Sequence, residues 1–483
     1  MELRDYVSYD ALGLAELIAK REVTGAEVVS ASLRAVERVN SAINAVVETW
    51  PDEVPVSLRD QKDGGLFAGV PFLVKDLGIT RAGRSTELGS RLAKGLVAAS
   101  DSTLMIQFRG AGLVPIGRTT TPEFAISSTT EGVATGVTRN PWALDRSAGG
   151  SSGGSGAAVA AGIVPFAHAT DGGGSIRVPA SVNGLFGLKP SRGRVSNGPA
   201  VDEVWSGLAV QLGVSRTVRD SAALLDAVQG GGVGEPYYTA PPKTSFRTRV
   251  EQDPGRLRIG FMPNPLNGDR TSAPVAAALG GVAQLCDQLG HNVEDVTLDI
   301  GVSWEAFVYA NTQLFTVNTT AWINAISAAM GRGATVDYLE PATMAVYTYG
   351  RQVSGLDLLD ALDVRNMVTR AIGAYFETYD ILLTPTVPQL PPLIGTFNQG
   401  QSDLDAAGWV DKVFNMSPFT AMANVSGIPA MSVPLSTDPV AGLPVGSQFF
   451  AGFGREGLLF SLAGQLERAQ PWRNRRATIW AGA

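Results

Sequence analysis

The sequence predicts an α/β fold built on a large mixed β-sheet, and three observations lead there. Short apolar runs that read as buried strands alternate along the chain with longer stretches whose apolar residues recur every three or four positions. The segment from Leu257 to Val296 has the strand, helix, strand order of a β-α-β unit. A composition of 45% hydrophobic and 17% charged residues over 483 positions supplies a sizeable core and argues against disorder.

Taken in order, Leu12, Leu14, Leu17 and Ile18, then Val28, Val29, Leu33 and Val36, mark two amphipathic helices between Tyr9 and Val47, with Thr24 placed to cap the second. Val70 to Val74 is a buried strand that runs into Lys75-Asp76. Leu104 to Arg109 is helical and Gly112 to Gly117 strand-like. Ala157 to Ala161 is a run of helix formers, and Ile163 to Ala167 suits a buried strand. Ile176 to Val182 opens a further helix, with Pro179 tolerated in its first turn. Gly230 to Pro242 is the most linker-like stretch. Beyond it come Leu257 to Phe261, a helix from Ala273 to Leu289, and Asn292 to Val296. Helices follow over Trp304 to Met330 and Gly355 to Phe376. Strands are expected over Tyr379 to Pro385, Ser432 to Leu435 and Gly446 to Phe450, and a closing helix over Leu458 to Leu466.

The scarce residues exclude several chemistries. One cysteine, Cys286, cannot form an internal disulfide, and with only His168 and His291 beside it no zinc or iron-sulfur spacing exists. No metal and no cofactor is therefore expected. A net charge of −7 gives no general attraction to nucleic acid or to an anionic membrane. No apolar run approaches the roughly 18 residues of a membrane span, and Met1 to Asp5 has no basic-then-apolar order; the expected location is cytoplasmic, with neither membrane nor nucleic acid as partner.

Glycine is in excess, 56 of 483 residues or about 12% against a usual value of about 7%. It concentrates between 147 and 193, in Ser147-Ala148-Gly149-Gly150-Ser151-Ser152-Gly153-Gly154-Ser155-Gly156 and Asp171-Gly172-Gly173-Gly174-Ser175. A single such loop is as readily a flexible turn. A glycine triplet is costly to order, so the second loop points to backbone amides that approach another group closely. Such amides, with a helix starting just after them, suit an oxyanion beside a nucleophilic Ser175. Neither loop has the lysine ending of a P-loop or the dinucleotide fingerprint.

Ser175 needs a proton acceptor. His168 lies in an apolar run and His291 at a helix end, both positions that structural histidines occupy. Lys75 ends an apolar strand, where desolvation favours the neutral amine. Lowering its pKa from about 10.4 to about 7 takes roughly 4 to 5 kcal/mol of differential environment. On residues alone, a solvated Lys75 or an ion pair with Asp76 is the simpler expectation.

The two glycine-serine loops closely resemble the signature of the amidase signature family of serine hydrolases. Further matches, in family order, are Gly69-Val70-Pro71-Phe72-Leu73-Val74-Lys75-Asp76, Thr121-Pro122-Glu123-Phe124, Gly187 to Gly193, Leu383-Thr384-Pro385-Thr386 and Asn424 to Ala430. The resemblance implies an α/β amidase signature fold, a large mixed sheet covered by helices on both faces. It also implies a single domain over 1–483: N-terminal helices over 1–60, a catalytic core over 61–230, a variable substrate-side region over 235–375, and the C-terminal part of the core sheet over 376–483.

It further implies a Ser-Ser-Lys triad that needs no histidine: Ser175 as nucleophile, Ser151 as the bridging serine on a cis Gly150-Ser151 peptide, and Lys75 as base. Gly172, Gly173, Gly174 and Ser175 would form the oxyanion hole, with Ser152, Thr170, Asp171 and Arg177 supporting them. Gly149, Gly150, Phe124, Trp205 and Tyr309 are expected near the substrate. Two positions depart from the family pattern, Gly172 where threonine is usual and Thr120 where asparagine is common. The implied activity is hydrolysis of a small-molecule amide to carboxylate and amine or ammonia, with anilides or carbamates, as in nylon-oligomer hydrolases and urethanases, among the candidate substrates. The alternatives are an amidotransferase subunit releasing ammonia from glutamine and a non-catalytic binding protein of the same fold. The sequence does not fix the oligomeric state; a homodimer is one expectation.

Overall fold

The computed structural model describes residues 1–59, 65–201 and 203–483. The boundary expected between 60 and 61 lies outside the described residues.

Apolar, β-branched runs set the strands. Among the described residues, those of the main sheet are β1 Val46–Thr49, β2 Val70–Lys75, β3 Leu113–Thr119, β4 Phe166–Asp171, β5 Phe186–Lys189, β6 Val210–Ser215, β7 Arg258–Phe261, β8 Asn292–Asp295, β9 Ile381–Pro385, β10 Ala430–Thr437 and β11 Pro444–Ala451, while Glu131–Gly132 with Gly136–Val137 and Arg139–Asn140 with Ala143–Ser147 form two small pairs outside it. The main sheet has 11 strands in the order β1-β3-β2-β4-β6-β5-β10-β11-β9-β7-β8. It is mixed: β3, β2 and β4 run parallel, as do β9, β7 and β8, and the strands between are antiparallel. The expected β-α-β unit forms, with β7 and β8 parallel and joined through the helix Ala273–Gln288.

Side chains alternate across a strand, so one strand can feed two cores. Ile381, Leu383, Phe449 and Ala451 enter one apolar cluster, and Leu382 and Phe450 a second. The first contains residues of the helices Gly25–Ile43, Gly153–Ala160, Val218–Val228 and Glu456–Ala469. The second contains residues of Trp304–Met330, Pro341–Gly350, Gly355–Tyr375 and Ala406–Met416. Helices therefore cover both faces of the sheet. Thr24 caps its helix as expected: its Oγ1 accepts from Glu27 N–H at 3.2 Å, and the Glu27 carboxylate accepts from Thr24 N–H at 2.8 Å.

The structure corrects one strand. Ile163 to Pro165 lie in a turn after the helix Gly153–Ala160, and the strand expected at Ile163 to Ala167 runs from Phe166 to Asp171. The shift brings Thr170 and Asp171 to the strand's end, beside the end of β2. Among the described residues no helix is long and apolar enough to cross a membrane.

Candidate active site

β2 and β4 run parallel and deliver Lys75 and Thr170 to the same edge of the sheet. Lys75 is fully buried, and its Nζ lies 2.7 Å from Ser151 Oγ and 2.8 Å from Thr170 Oγ1. Burial pulls its pKa down to about 7, against the opposing charge of Asp171. The ion pair with Asp76 does not form: Asp76 pairs with Arg118 at 2.9 Å. Ser151 follows a cis Gly150-Ser151 peptide. A Cβ on Gly150 would fall 2.7 Å from the backbone nitrogen of Thr129, so only glycine fits there. Ser152 Oγ links this turn to β4, 3.3 Å from the backbone oxygen and nitrogen of Thr170.

Ser175 precedes the short helix Arg177–Asn183 and is half-buried. The loop before it is held from below by a buried ion pair. Arg177 donates to both oxygens of Asp171 at 2.9 Å, to Gln448 and Asn424 side-chain oxygens at 2.7 Å, and to Thr420 O at 2.8 Å. Burial alone would raise the Asp171 carboxyl; Arg177, Lys189 and Asn424 together hold it below the usual carboxylate range. Gly174 has φ +139°, and a Cβ on it would meet Thr420 Oγ1 at 2.5 Å. Among the described residues, the backbone N–H groups of Gly173, Gly174 and Ser175 donate to nothing in the chain. They line a cavity and are available to an incoming oxyanion.

Two chambers meet at Ser175. The first, about 550 Å³ including its part open to solvent, is lined by Gly150, the loop Gly172 to Ser175, the apolar walls Val178, Leu208, Phe315, Val413 and Phe414, and Asn311 and three further serines. The second, with about 390 Å³, holds Ser151, Thr170, Asn197, Gln211, Val204, Val210 and Trp322. Ala125, Gly172, Ser175 and Trp205 line both, and among the described residues no charged side chain lines either.

Both histidines are held by the fold, as His168's apolar run and His291's helix-end position lead one to expect. His168 Nδ1 accepts from Lys75 N–H at 3.2 Å and Nε2 donates to Gln211 Oε1 at 2.9 Å, so both ring nitrogens are occupied. Burial drives its pKa to about 3, which keeps it neutral. His291 is likewise buried between Leu257 N–H and Gln465.

Of the residues expected near the substrate, Gly150 and Trp205 line the chambers and Gly149 lies just behind, its carbonyl accepting from Thr130 Oγ1 at 2.8 Å. Two are corrected. Tyr309 is 60% exposed and lines neither chamber; Asn311 and Phe315 of the same helix do. Phe124 is fully buried in the second apolar cluster, and its neighbour Ala125 reaches the cavity instead. Thr120 bonds Thr138 Oγ1 at 2.6 Å, away from both chambers. Unforeseen wall residues come from the helix Ala406–Met416, which supplies Val413 and Phe414.

Behind the wall lie two buried carboxyls. Glu123 accepts from Ser90 Oγ and Glu340 N–H, both at 2.7 Å, and Glu340 accepts from Val133 N–H at 2.7 Å. Burial, then the neighbouring Glu123, push Glu340 up to about 7.

The amidase family model matches residues 27–460. The chain is 36% identical to the 6-aminohexanoate-cyclic-dimer hydrolase of Paenarthrobacter ureafaciens, over 97% of this chain and 96% of that protein. A solved 6-aminohexanoate cyclic dimer hydrolase superposes with a TM-score of 0.93, covering 98% of this chain and 99% of the other at 36% identity. A bacterial aryl acylamidase of the amidase signature family superposes with a TM-score of 0.87 over 96% of each chain at 28% identity.

Proposed function

The chain belongs to the amidase family and is a hydrolase of amide C–N bonds; from that premise we propose that it cleaves uncharged, N-substituted amides through Ser175, Ser151 and Lys75. The observation that carries this reading is the 2.7 Å contact between Lys75 Nζ and Ser151 Oγ beneath a cavity shared by Ser151 and Ser175.

In the proposed cycle neutral Lys75 takes the Ser151 proton as Ser151 takes that of Ser175, and Ser175 Oγ attacks the carbonyl carbon. The Gly173, Gly174 and Ser175 amides receive the developing oxyanion. The proton returns from Lys75 through Ser151 to the amide nitrogen, the C–N bond breaks, and an amine leaves an acyl-Ser175 ester. Water then attacks the ester by the same relay, giving the carboxylic acid and free Ser175. Since Ser151 lines the second chamber and the glycine amides the first, the acyl group belongs in the first and the amine in the second.

The uncharged walls support the choice of substrate. Glutamine would bring an ammonium and a carboxylate into chambers with no ion partner, a cost of several kcal/mol per unpaired ion, and this favours the stand-alone hydrolase over an amidotransferase subunit. The named relatives act on 6-aminohexanoate cyclic dimer and aryl acylamides; we place anilides, carbamates and that cyclic dimer on the candidate list.

Two measurements test the proposal. A fluorophosphonate probe should add once, on Ser175, by intact mass and peptide mapping. Across glutamine, a primary aliphatic amide, an anilide, a carbamate and the cyclic dimer, kcat/KM should be highest for the uncharged N-substituted members; preference for glutamine, or no adduct under conditions that label a serine amidase, would refute it.

A further inference from the structure

Resting on the reading of Ser175 as nucleophile, we propose that Trp205 sets substrate specificity, its indole dividing the acyl chamber from the amine chamber. It occupies that place because residue 172 is glycine. Of the four residues that line both chambers, Ala125 and Gly172 carry little or no side chain and Ser175 is the reacting group. Trp205 is thus the one bulky side chain on the boundary among the described residues.

The indole and the glycine fit each other. A Cβ on Gly172 would lie 2.5 Å from Cε3 and Cζ3 of Trp205, well inside contact distance. Any larger residue at 172 therefore expels the ring. On its other side the indole meets Phe315, ring centroids 4.7 Å apart at 50°. The partition is pinned between the nucleophile loop and the helix Trp304–Met330.

Its backbone is fixed as firmly as its ring. Trp205, Ser206 and Gly207 have φ +52°, +53° and +79°, a left-handed run that side-chain-bearing residues disfavour. Polar contacts from three elements hold it. Arg365 donates to Ser206 O, and Arg192 Nε to Gly207 O. Asn318 Nδ2 donates to Ser206 Oγ at 2.9 Å. Arg192 is itself anchored on Asn424 O and Val425 O, both at 2.8 Å. A surface loop would not need such a clamp; a wall that must resist a substrate does.

The partition makes the two substituents of the scissile amide separate size problems. An indole standing beside Ser175 limits the width of the amine next to the scissile bond, so a single-ring amine passes it and a fused two-ring amine presses on it. The test compares kcat/KM for an anilide and a 2-naphthylamide of the same acid. The wild-type protein should favour the anilide, and Trp205→Ala should shift the ratio toward the naphthylamide by about tenfold or more. Trp205→Phe, which keeps a ring on Gly172, should hold the wild-type ratio. Gly172→Ala should lose activity, and adding Trp205→Ala should recover about tenfold of it if the loss comes from the indole. An unchanged ratio in a folded Trp205→Ala protein that still takes the probe on Ser175 would overturn the partition. Failure of the wild-type protein to take the probe or to cleave any amide would instead remove the nucleophile on which the partition rests.

Discussion

Lys75 Nζ lies 2.7 Å from Ser151 Oγ, with both side chains buried. In the proposed relay the contact can pass a proton only while the amine is uncharged, and burial brings its pKa to about 7. Below that value Lys75 is protonated and cannot accept from Ser151. The profile of kcat/KM against pH should therefore rise to a plateau above about 7. Lys75→Ala and Ser175→Ala should each lower kcat by about 10³-fold or more at the plateau. An active Lys75→Ala protein would exclude lysine as the base.

His168 gives the converse expectation. Its nitrogens are spent on Lys75 N–H and Gln211, so it has no free lone pair for Ser175. His168→Ala should keep kcat within about tenfold of wild type under conditions where it stays folded. It should nonetheless lose about 2 to 4 kcal/mol of stability in a denaturant titration, through a cavity and an unpaired amide. Abolished turnover in a folded variant would reverse the ranking of lysine and histidine.

Glu340 supplies a stability switch independent of the chemistry. Its folded pKa, about 7, exceeds its ordinary value of 4.5. The folded state therefore holds the proton more tightly, and the resulting stabilisation, complete below about 4.5, is lost as pH rises through about 7. Glu340→Gln keeps an oxygen for Val133 N–H and cannot ionise. The stability of this variant relative to wild type should increase between pH 5 and pH 8 in parallel denaturation curves; a constant difference would show that the carboxyl does not titrate there.

The legibility of the site in the sequence followed the kind of signal each residue carried. Lys75, Ser151 and Ser175 sit in motifs with fixed spacing, and the structure brings Lys75 to Ser151 and both serines to one chamber. The Trp304–Met330 helix is legible to its observed ends, yet Tyr309, expected near the substrate, lies exposed on it. That helix is apolar over much of its circumference, so periodicity reveals its existence and hides its phase. The strand expected at Ile163 moved to Phe166–Asp171 because apolar content marks burial, not ladder pairing. Val413 and Phe414 were legible in principle: Asp405 caps their helix by accepting from Gly408 N–H at 2.8 Å, and Trp409, Val410 and Phe414 follow at helical spacing. The meeting of Trp205 and Gly172 was not, since 33 residues of chain separate them and no local pattern links a loop tryptophan to a distant glycine.

The uncharged lining of the chambers also bears on how a turnover ends. On the proposed reading a neutral amide enters and a carboxylate forms, accompanied by an ammonium where the amine is aliphatic and by a neutral arylamine where the substrate is an anilide. Walls without a fixed charge offer such ions no partner, and each is more stable in bulk solvent than between Phe315, Phe414 and Trp205. On that reading the surface that suits a neutral amide holds its carboxylate product poorly, so inhibition by the acid product should be weak.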